Sequence, residues 1–292
     1  REAVYRFFGA RLGVAGPYAE KGFHLEQLGD MLSLYGRQRP ANAVTLQRLT
    51  ANLIAEAKRS VEEMRPREAG ALQTARRAFR ERLAFSLLVE KPAPGEVIAE
   101  KKEKLPSGEM LLLGRREAGD RIPAAWLEPR RANPQAPPTL LVHPEGIAWT
   151  LSSSESNGGL VRSILERGGA VLGIDAFQTG SARAPRDQSK RHFLTFNQTD
   201  DANRIQDILT ALAYLRERSG RAEVNLVGMK MAGLWSLFAR AMAGEGVNLA
   251  ADLAQFRADT DEEYVEKLFI PGLRRAWDFR AAATLLASGK TL

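Results

Sequence analysis

Ten residues in the last quarter of the chain, Val224-Asn-Leu-Val-Gly-Met-Lys-Met-Ala-Gly233, constrain the fold more tightly than any other stretch. Residues 224–227 alternate and branch as a short buried strand does. Gly228, Ala232 and Gly233 are the small residues that a sharp strand-to-helix turn needs, because a larger Cβ meets the opposing backbone there. Residues 234–242 continue with helical periodicity. A strand that turns directly into a helix is half of a parallel βαβ arrangement. The centre of the turn is Lys230.

The rest of the chain repeats that alternation. Residues 97–104, 109–116 and 122–127 read as strands separated by Pro106-Ser-Gly108 and Gly119-Asp120, which predicts antiparallel pairing. Residues 139–143, 170–174, 224–227 and 247–251 read as short apolar strands. Helices are expected near 160–167 and over 200–218, the latter with Ile205, Ile208, Leu209, Leu212 and Leu215 inward. The fold class that follows is α/β: a mostly parallel sheet with antiparallel N-terminal strands, preceded by a helical segment. Within that segment, residues 1–12 place Val4, Phe7, Phe8 and Leu12 near one helix face. Residues 41–64 form an amphipathic helix through Val44, Leu46, Leu49, Leu53, Ile54, Val61 and Met64, and a second helix spans 67–89. Pro92-Ala-Pro94-Gly95 marks a composition break.

Composition narrows the chemistry. With 292 residues, 44% hydrophobic and 26% charged, the chain can bury a large core. There is no cysteine, so thiolate metal sites, disulfides and a cysteine nucleophile are excluded, and the three histidines (His24, His143, His192) argue against a histidine-rich metal site. No metal and no cofactor is expected. The formal charge of +7 raises nucleic acid as a partner, but the arginines are interspersed with acids, as in Arg76-Arg77 with Glu81, and no basic-aromatic stripe emerges. Gly158-Gly159 does not follow a strand, as a dinucleotide-binding fingerprint requires. No run approaches the length of a membrane-spanning helix, so neither nucleic acid nor membrane is expected as a partner.

These residues carry a resemblance. Phe193-Leu-Thr-Phe-Asn-Gln-Thr-Asp, the stretch from Arg204 to Arg216, the turn at 228–233, Asp175-Ala-Phe-Gln-Thr-Gly180-Ser181 and Leu141-Val-His143-Pro-Glu-Gly146 stand in the order seen in the α/β-hydrolases. They are most similar to its acetyl-xylan-esterase-like branch, related to dienelactone hydrolases, and the resemblance covers about residues 97–292. It implies an α/β-hydrolase fold in which Gly228, Met229, Lys230, Met231, Ala232 and Gly233 form the nucleophile elbow, and His143, Glu145 and Gly146 a remnant of the oxyanion loop. The motif is G-x-S-x-G; here lysine stands where serine belongs, so Lys230 is a degenerate nucleophile position. Asp252 is the candidate acid, with Asp259 and Asp261 more simply surface carboxylates. No histidine follows residue 192, so the triad order Ser, Asp, His cannot be completed downstream.

Arg1-Glu-Ala-Val-Tyr-Arg-Phe-Phe-Gly-Ala-Arg-Leu-Gly is similar to the last helix of such a hydrolase. The expected organisation is therefore a helix over 1–16 that ends a preceding hydrolase-like unit, a mainly helical linker or cap over 17–95, and a hydrolase-like domain over 96–292 that is incomplete at its C-terminus. Its expected partner is another hydrolase-like domain of the same parent chain, or a second copy.

Other chemistry-bearing residues have blander readings. Lys230 could itself be a nucleophile or base, but its neighbours Met229 and Met231 supply no proton acceptor, so a residue left after loss of serine is the better reading. His143 reads as a strand-end histidine bonded to backbone, because Pro144 removes a donor and Glu145 puts negative charge where an oxyanion would form. His192 reads as a loop residue. Ser152-Ser153-Ser154, Ser156 and Asn157 read as caps of the following helix. Trp126, Trp149, Trp235 and Trp277 read as core or pocket lining. Two functions survive: a noncatalytic hydrolase-like scaffold or partner module, related to carbohydrate esterases of bacterial type, or a carboxylic-ester hydrolase acting on acetylated polysaccharide whose site is completed outside this chain, or which uses another serine such as Ser181. Whether the chain is an enzyme is left open, and so is its compartment: the resemblance is compatible with export, while no signal peptide is visible.

Overall fold

In the computed structural model, which describes residues 1–286 apart from Lys21, Ser33, Tyr35 and Trp277, seven strands form one sheet. They are β1 (Val97–Leu105), β2 (Gly108–Arg115), β3 (Ile122–Leu127), β4 (Thr139–Val142), β5 (Val171–Ile174), β6 (Val224–Gly228) and β7 (Val247–Ala251). Their order across the sheet is β1-β2-β3-β5-β4-β6-β7. Pairing is antiparallel from β1 to β5 and parallel from β5 to β7, so β2, β4, β5, β6 and β7 all run the same way. This is the mostly parallel sheet with antiparallel N-terminal strands that the turn residues and apolar runs predict. The four central strands β4, β5, β6 and β3 are almost wholly buried, as strands covered by helices must be.

The helices are α1 (Glu2–Leu12), α2 (Leu28–Met31), α3 (Leu46–Glu63), α4 (Leu72–Leu87), α5 (Ile147–Glu155), α6 (Leu160–Glu166), α7 (Phe193–Phe196), α8 (Asp200–Ser219), α9 (Ala232–Ala243), α10 (Asp261–Lys267) and α11 (Asp278–Leu286). The expected helix over 41–64 begins at Leu46 instead, because the Thr45 hydroxyl accepts the N–H of Arg48 (3.2 Å) and sets the first turn there. Helix α5 was not anticipated. Its serines sit inside it rather than in a loop, although Ser153 Oγ does accept the Val161 N–H at the start of α6 (3.2 Å). Helix α8 starts where Thr199 accepts the Ala202 N–H and stops at Gly220 in the left-handed conformation.

The chain divides into two compact units, Arg1–Ala55 and Glu56–Leu292. This differs from the expected boundary at 95. The reason is α4: Phe79, Leu83 and Leu87, spaced by four residues, are fully buried in the same core as the sheet, so the segment is core rather than linker. Val61 and Met64 join that core, and Trp126 and Trp235 lie within it, whereas Trp277 is outside the described residues. In the first unit the apolar stripes are bare: Val4, Phe7, Phe8 and Leu12 of α1, and Leu46, Leu49, Leu53 and Ile54 of α3, are all exposed. No helix among the described residues is long and apolar enough to cross a membrane.

Candidate active site

Parallel strands deliver their C-terminal ends, and the loops that follow them, to one side of the sheet. Three such loops meet here: 143–146 after β4, 229–231 after β6 and 252–254 after β7. The turn after β6 is tight. Met229 N donates to Val142 O (3.0 Å), Ala232 N to Met229 O (3.0 Å) and Gly233 N to Lys230 O (3.0 Å). Lys230 is held at φ 51°, a left-handed conformation that a lysine adopts only at a cost. The surroundings enforce it. A Cβ on Gly228 would lie 2.4 Å from Ser236 Oγ, and one on Gly233 would lie 1.8 Å from Asp252 O. The small residues read from the sequence are therefore required by opposing atoms.

At this elbow the lysine ammonium points to the loop after β4. Lys230 Nζ stands 3.3 Å from Glu145 Oε1, and both side chains are well exposed. The Lys230 N–H donates to Asp252 Oδ2 (3.2 Å), while Asp252 Oδ1 accepts the Ala254 N–H (2.9 Å). Lys230, Glu145, His143, Gly146 and Asp252 are thus brought to one place. Asp259 and Asp261 fall in the loop before α10 and at its first turn, with Asp261 paired to Arg274.

The loop after β4 is closed on itself. His143 is buried, stacked on Trp149 with ring centres 4.7 Å apart. Its Nδ1 accepts the Glu145 N–H (3.0 Å), its carbonyl accepts the Gly146 N–H (2.8 Å), and the Ile147 N–H goes to Asp175 Oδ1 (2.7 Å). Three successive amides of the would-be oxyanion loop are spent internally. Because Nδ1 accepts, the proton of neutral His143 sits on Nε2. Burial first, and then the Lys230 ammonium, push this imidazole below its ordinary value, against a smaller pull from Glu145.

Asp175 organises the neighbouring loop and was legible only as part of the resemblance. It is buried, and besides Ile147 it accepts the Ser181 N–H (2.9 Å) and the Ser181 hydroxyl (2.5 Å) through Oδ2. Gly146 (φ 63°) and Gly180 (φ 47°) are needed there, since a Cβ on either would lie about 2 Å from Asp175 Oδ1. Ser181 is therefore tied to a carboxylate without an imidazole. His192 lies at φ 64° on the exposed approach to α7, and His24 is exposed in the first unit.

Sequence reasoning missed the side chains of α8 that hold this loop. Asp207 Oδ2 accepts the Phe177 N–H (2.7 Å) and Arg204 Nε donates to Phe177 O (2.9 Å), so one residue is held through both of its backbone polar groups. Burial pushes the Asp207 carboxyl up to about 7, aided by Asp120 and opposed by the Phe177 N–H, Arg115 and Arg204. The Arg186 guanidinium lies between the rings of Phe177 and Phe193, 5.0 and 4.8 Å from their centres. Only the i, i+3 spacing of Arg204 and Asp207 on one helix face hinted at such a grip. Among the described residues no cluster of three or more His, Asp or Glu could hold a metal ion.

No protein-family model and no curated protein matches this chain. Solved structures do. A proposed acetyl xylan esterase from Bacteroides fragilis superimposes with a TM-score of 0.58 at 10% identity, over 85% of this chain and 74% of its own. A proposed lipase from Sulfolobus solfataricus gives 0.39 at 15% identity, over 59% of this chain and 56% of its own. A carboxyl esterase from Bacillus coagulans gives 0.33 at 13% identity, over 53% and 44%. At such identities the first of these likenesses speaks for architecture rather than activity. Together with the strand order, it shows that the chain adopts an α/β-hydrolase fold over the 85% that superimposes.

Proposed function

We propose that this chain is a catalytically degenerate α/β-hydrolase-like domain that serves as a scaffold or partner module rather than as an ester hydrolase. One observation carries the reading: the elbow presents Lys230, and that lysine is paired with Glu145 of the loop after β4. Ester hydrolysis on this fold needs a nucleophile, a base within hydrogen-bond reach and free N–H donors for the oxyanion. The nucleophile position holds an ammonium group. The nearest imidazole, His143, is buried under Trp149 with Nδ1 occupied. The amides of residues 145, 146 and 147 already have acceptors.

A second reading keeps the chain in the esterase class, with a site completed by residues outside it and acetylated polysaccharide as substrate. What favours it is the likeness to a proposed acetyl xylan esterase and the retained strain at position 230. Fluorophosphonate labelling read by intact mass separates the two, with a live esterase as control. The degenerate reading expects no adduct on the native protein, and none on Lys230→Ser, because a serine at 230 still lacks a base. A stoichiometric adduct on the native chain overturns it, and peptide mapping then names the activated residue.

A further inference from the structure

Two segments of the second unit put large apolar side chains into solvent beside one another. Phe85 and Leu88, at the end of α4, are 81% and 59% exposed, although Phe79, Leu83 and Leu87 of the same helix are fully buried. Leu88 closes that helix at φ 52°, a left-handed cap that is usually glycine and is uncommon for a leucine. On the loop after β5, Leu194 and Phe196 of α7 are 44% and 85% exposed. Gln198 Nε2 donates to Leu88 O (2.7 Å), which ties the end of α4 to the end of α7. The base of α7 is fixed. Asn197 donates to Phe193 O through its backbone N–H and through Nδ2 (both 3.0 Å), and Phe193 rests on Arg186, which is bonded to Asp200 and to Gln198 O. One residue of the turn is anchored and the next three are exposed.

Basic residues adjoin this apolar surface. Arg183, Lys190 and Arg191 are exposed; Asp187 pairs with Lys190 (3.2 Å), and Arg183 and Arg191 have no ion pair among the described residues. The flanking carboxylates are largely matched: Asp200 is bonded to Arg186, Glu90 lies 3.6 Å from Arg115, and Glu81, one turn before Phe85, has Arg77 one turn before it. Val265 and Phe269, also exposed, lie beside Glu262 and Glu266 in sequence and are not part of this surface. We propose that the surface is a membrane contact: Phe85, Leu88, Leu194 and Phe196 enter the headgroup layer of an anionic bilayer, and Arg183, Lys190 and Arg191 bind its phosphates. Together they supply the two attractions that interfacial binding needs. The net charge of +7 favours an anionic surface over a second copy, which it repels. Phenylalanines more than four-fifths exposed suit a fluid layer that moulds around them, whereas a folded partner needs a cavity cut for each. Lying at the interface requires no spanning helix, so the lack of one among the described residues does not bear on it. The inference does not depend on whether the elbow is catalytic.

Flotation of the full chain with phosphatidylcholine vesicles, with and without about 30% phosphatidylserine, reads the proposal directly. Binding to the anionic vesicles alone is expected. The double variants Phe85→Ser, Phe196→Ser and Arg183→Glu, Arg191→Glu should each weaken it by at least about tenfold. Lys102→Glu, Lys104→Glu makes the same change in net charge as the arginine pair, but at the end of β1 that adjoins the start of β2, on the far side of the sheet from the loop after β5. It should weaken binding much less. Far-UV circular dichroism confirms that each variant is folded. Insertion is read separately, since the native chain has no cysteine. An environment-sensitive fluorophore on Thr195→Cys should shift to the blue with anionic vesicles, and one on Lys104→Cys should not. A native chain that ignores anionic vesicles overturns the proposal and leaves the surface to a protein partner. Binding kept by either folded surface variant, or an equal loss in the β1 variant, also overturns it, since the attraction is then that of any cationic protein.

Discussion

Lys230 sits in a left-handed conformation that costs a non-glycine residue on the order of 1 kcal/mol. Packing beneath the turn, not the side chain above it, maintains that geometry. Gly233→Ala tests this, because the added methyl runs into the Asp252 backbone, 1.8 Å from its carbonyl oxygen. The backbone must move, and a loss of about 2–3 kcal/mol is expected from the urea unfolding midpoint. A change below about 0.5 kcal/mol would mean that the turn is loose. The sequence announced these small residues, since sterics leave few alternatives. It did not announce where the Lys230 ammonium goes, because Glu145 is 85 residues away and meets it only through the sheet order.

At the scale of elements, all seven strands could be read: β3, β4, β5 and β6 largely from apolar runs, because two-sided burial leaves little room for polar side chains, and the exposed β1 from the turn residues that bound it. Helix α5 could not: Ile147-Ala-Trp-Thr-Leu-Ser-Ser-Ser-Glu155 mixes serines into a short segment whose first amide is held by Asp175, 28 residues on. The same holds for the grip of α8 on Phe177, which gives a pH-dependent prediction. Asp207 has a folded value near 7 against an ordinary 3.8, so between those limits the native state keeps a proton that the unfolded chain has released. Its contribution is fully present below 3.8 and is lost as the pH rises through 7. Asp207→Asn keeps an acceptor for the Phe177 N–H but does not titrate. Urea midpoints followed from pH 4 to 7.5 should therefore decline less steeply with rising pH in the variant than in the native protein. His143 acts in the opposite sense: its depressed value means stability present above 6.5 and lost as the pH falls below it. Both proteins carry His143, so the comparison cancels it. Parallel pH profiles would show that Asp207 is not protonated near neutrality.

For the whole molecule, the division at 55/56 replaces the expected one at 95, and two deletions distinguish them. Every member of the main core lies beyond residue 60, so a chain lacking residues 1–55 should fold, with a melting temperature within a few degrees of the full chain. Removing residues 1–90 also takes away Phe79, Leu83 and Leu87. At about 1.5–3 kcal/mol each, their loss is comparable to the entire stability of an ordinary domain. That shorter chain should show no cooperative unfolding transition. If it folds as well as the longer one, α4 is a dispensable linker after all. The composition break at Pro92–Gly95 was a real signal, but it marks the entry into the sheet, whereas burial at four-residue spacing in α4 marks membership of its core.

Asp175 gives this architecture an uneven resistance to opening. Its two oxygens hold amides on either side of the sheet's central crossover, Ile147 at the head of α5 and Ser181 beyond β5, and Gly146 and Gly180 leave the carboxylate the room to do so. Neither amide can be released without breaking a bond to the same buried carboxylate. In native-state hydrogen exchange the N–H groups of Ile147 and Ser181 should open together, with one free energy, even though 34 residues separate them. Asp175→Asn should raise the exchange of both in step. The loops beside the elbow then respond to perturbation as one piece, so a ligand or partner that orders one of them orders the other.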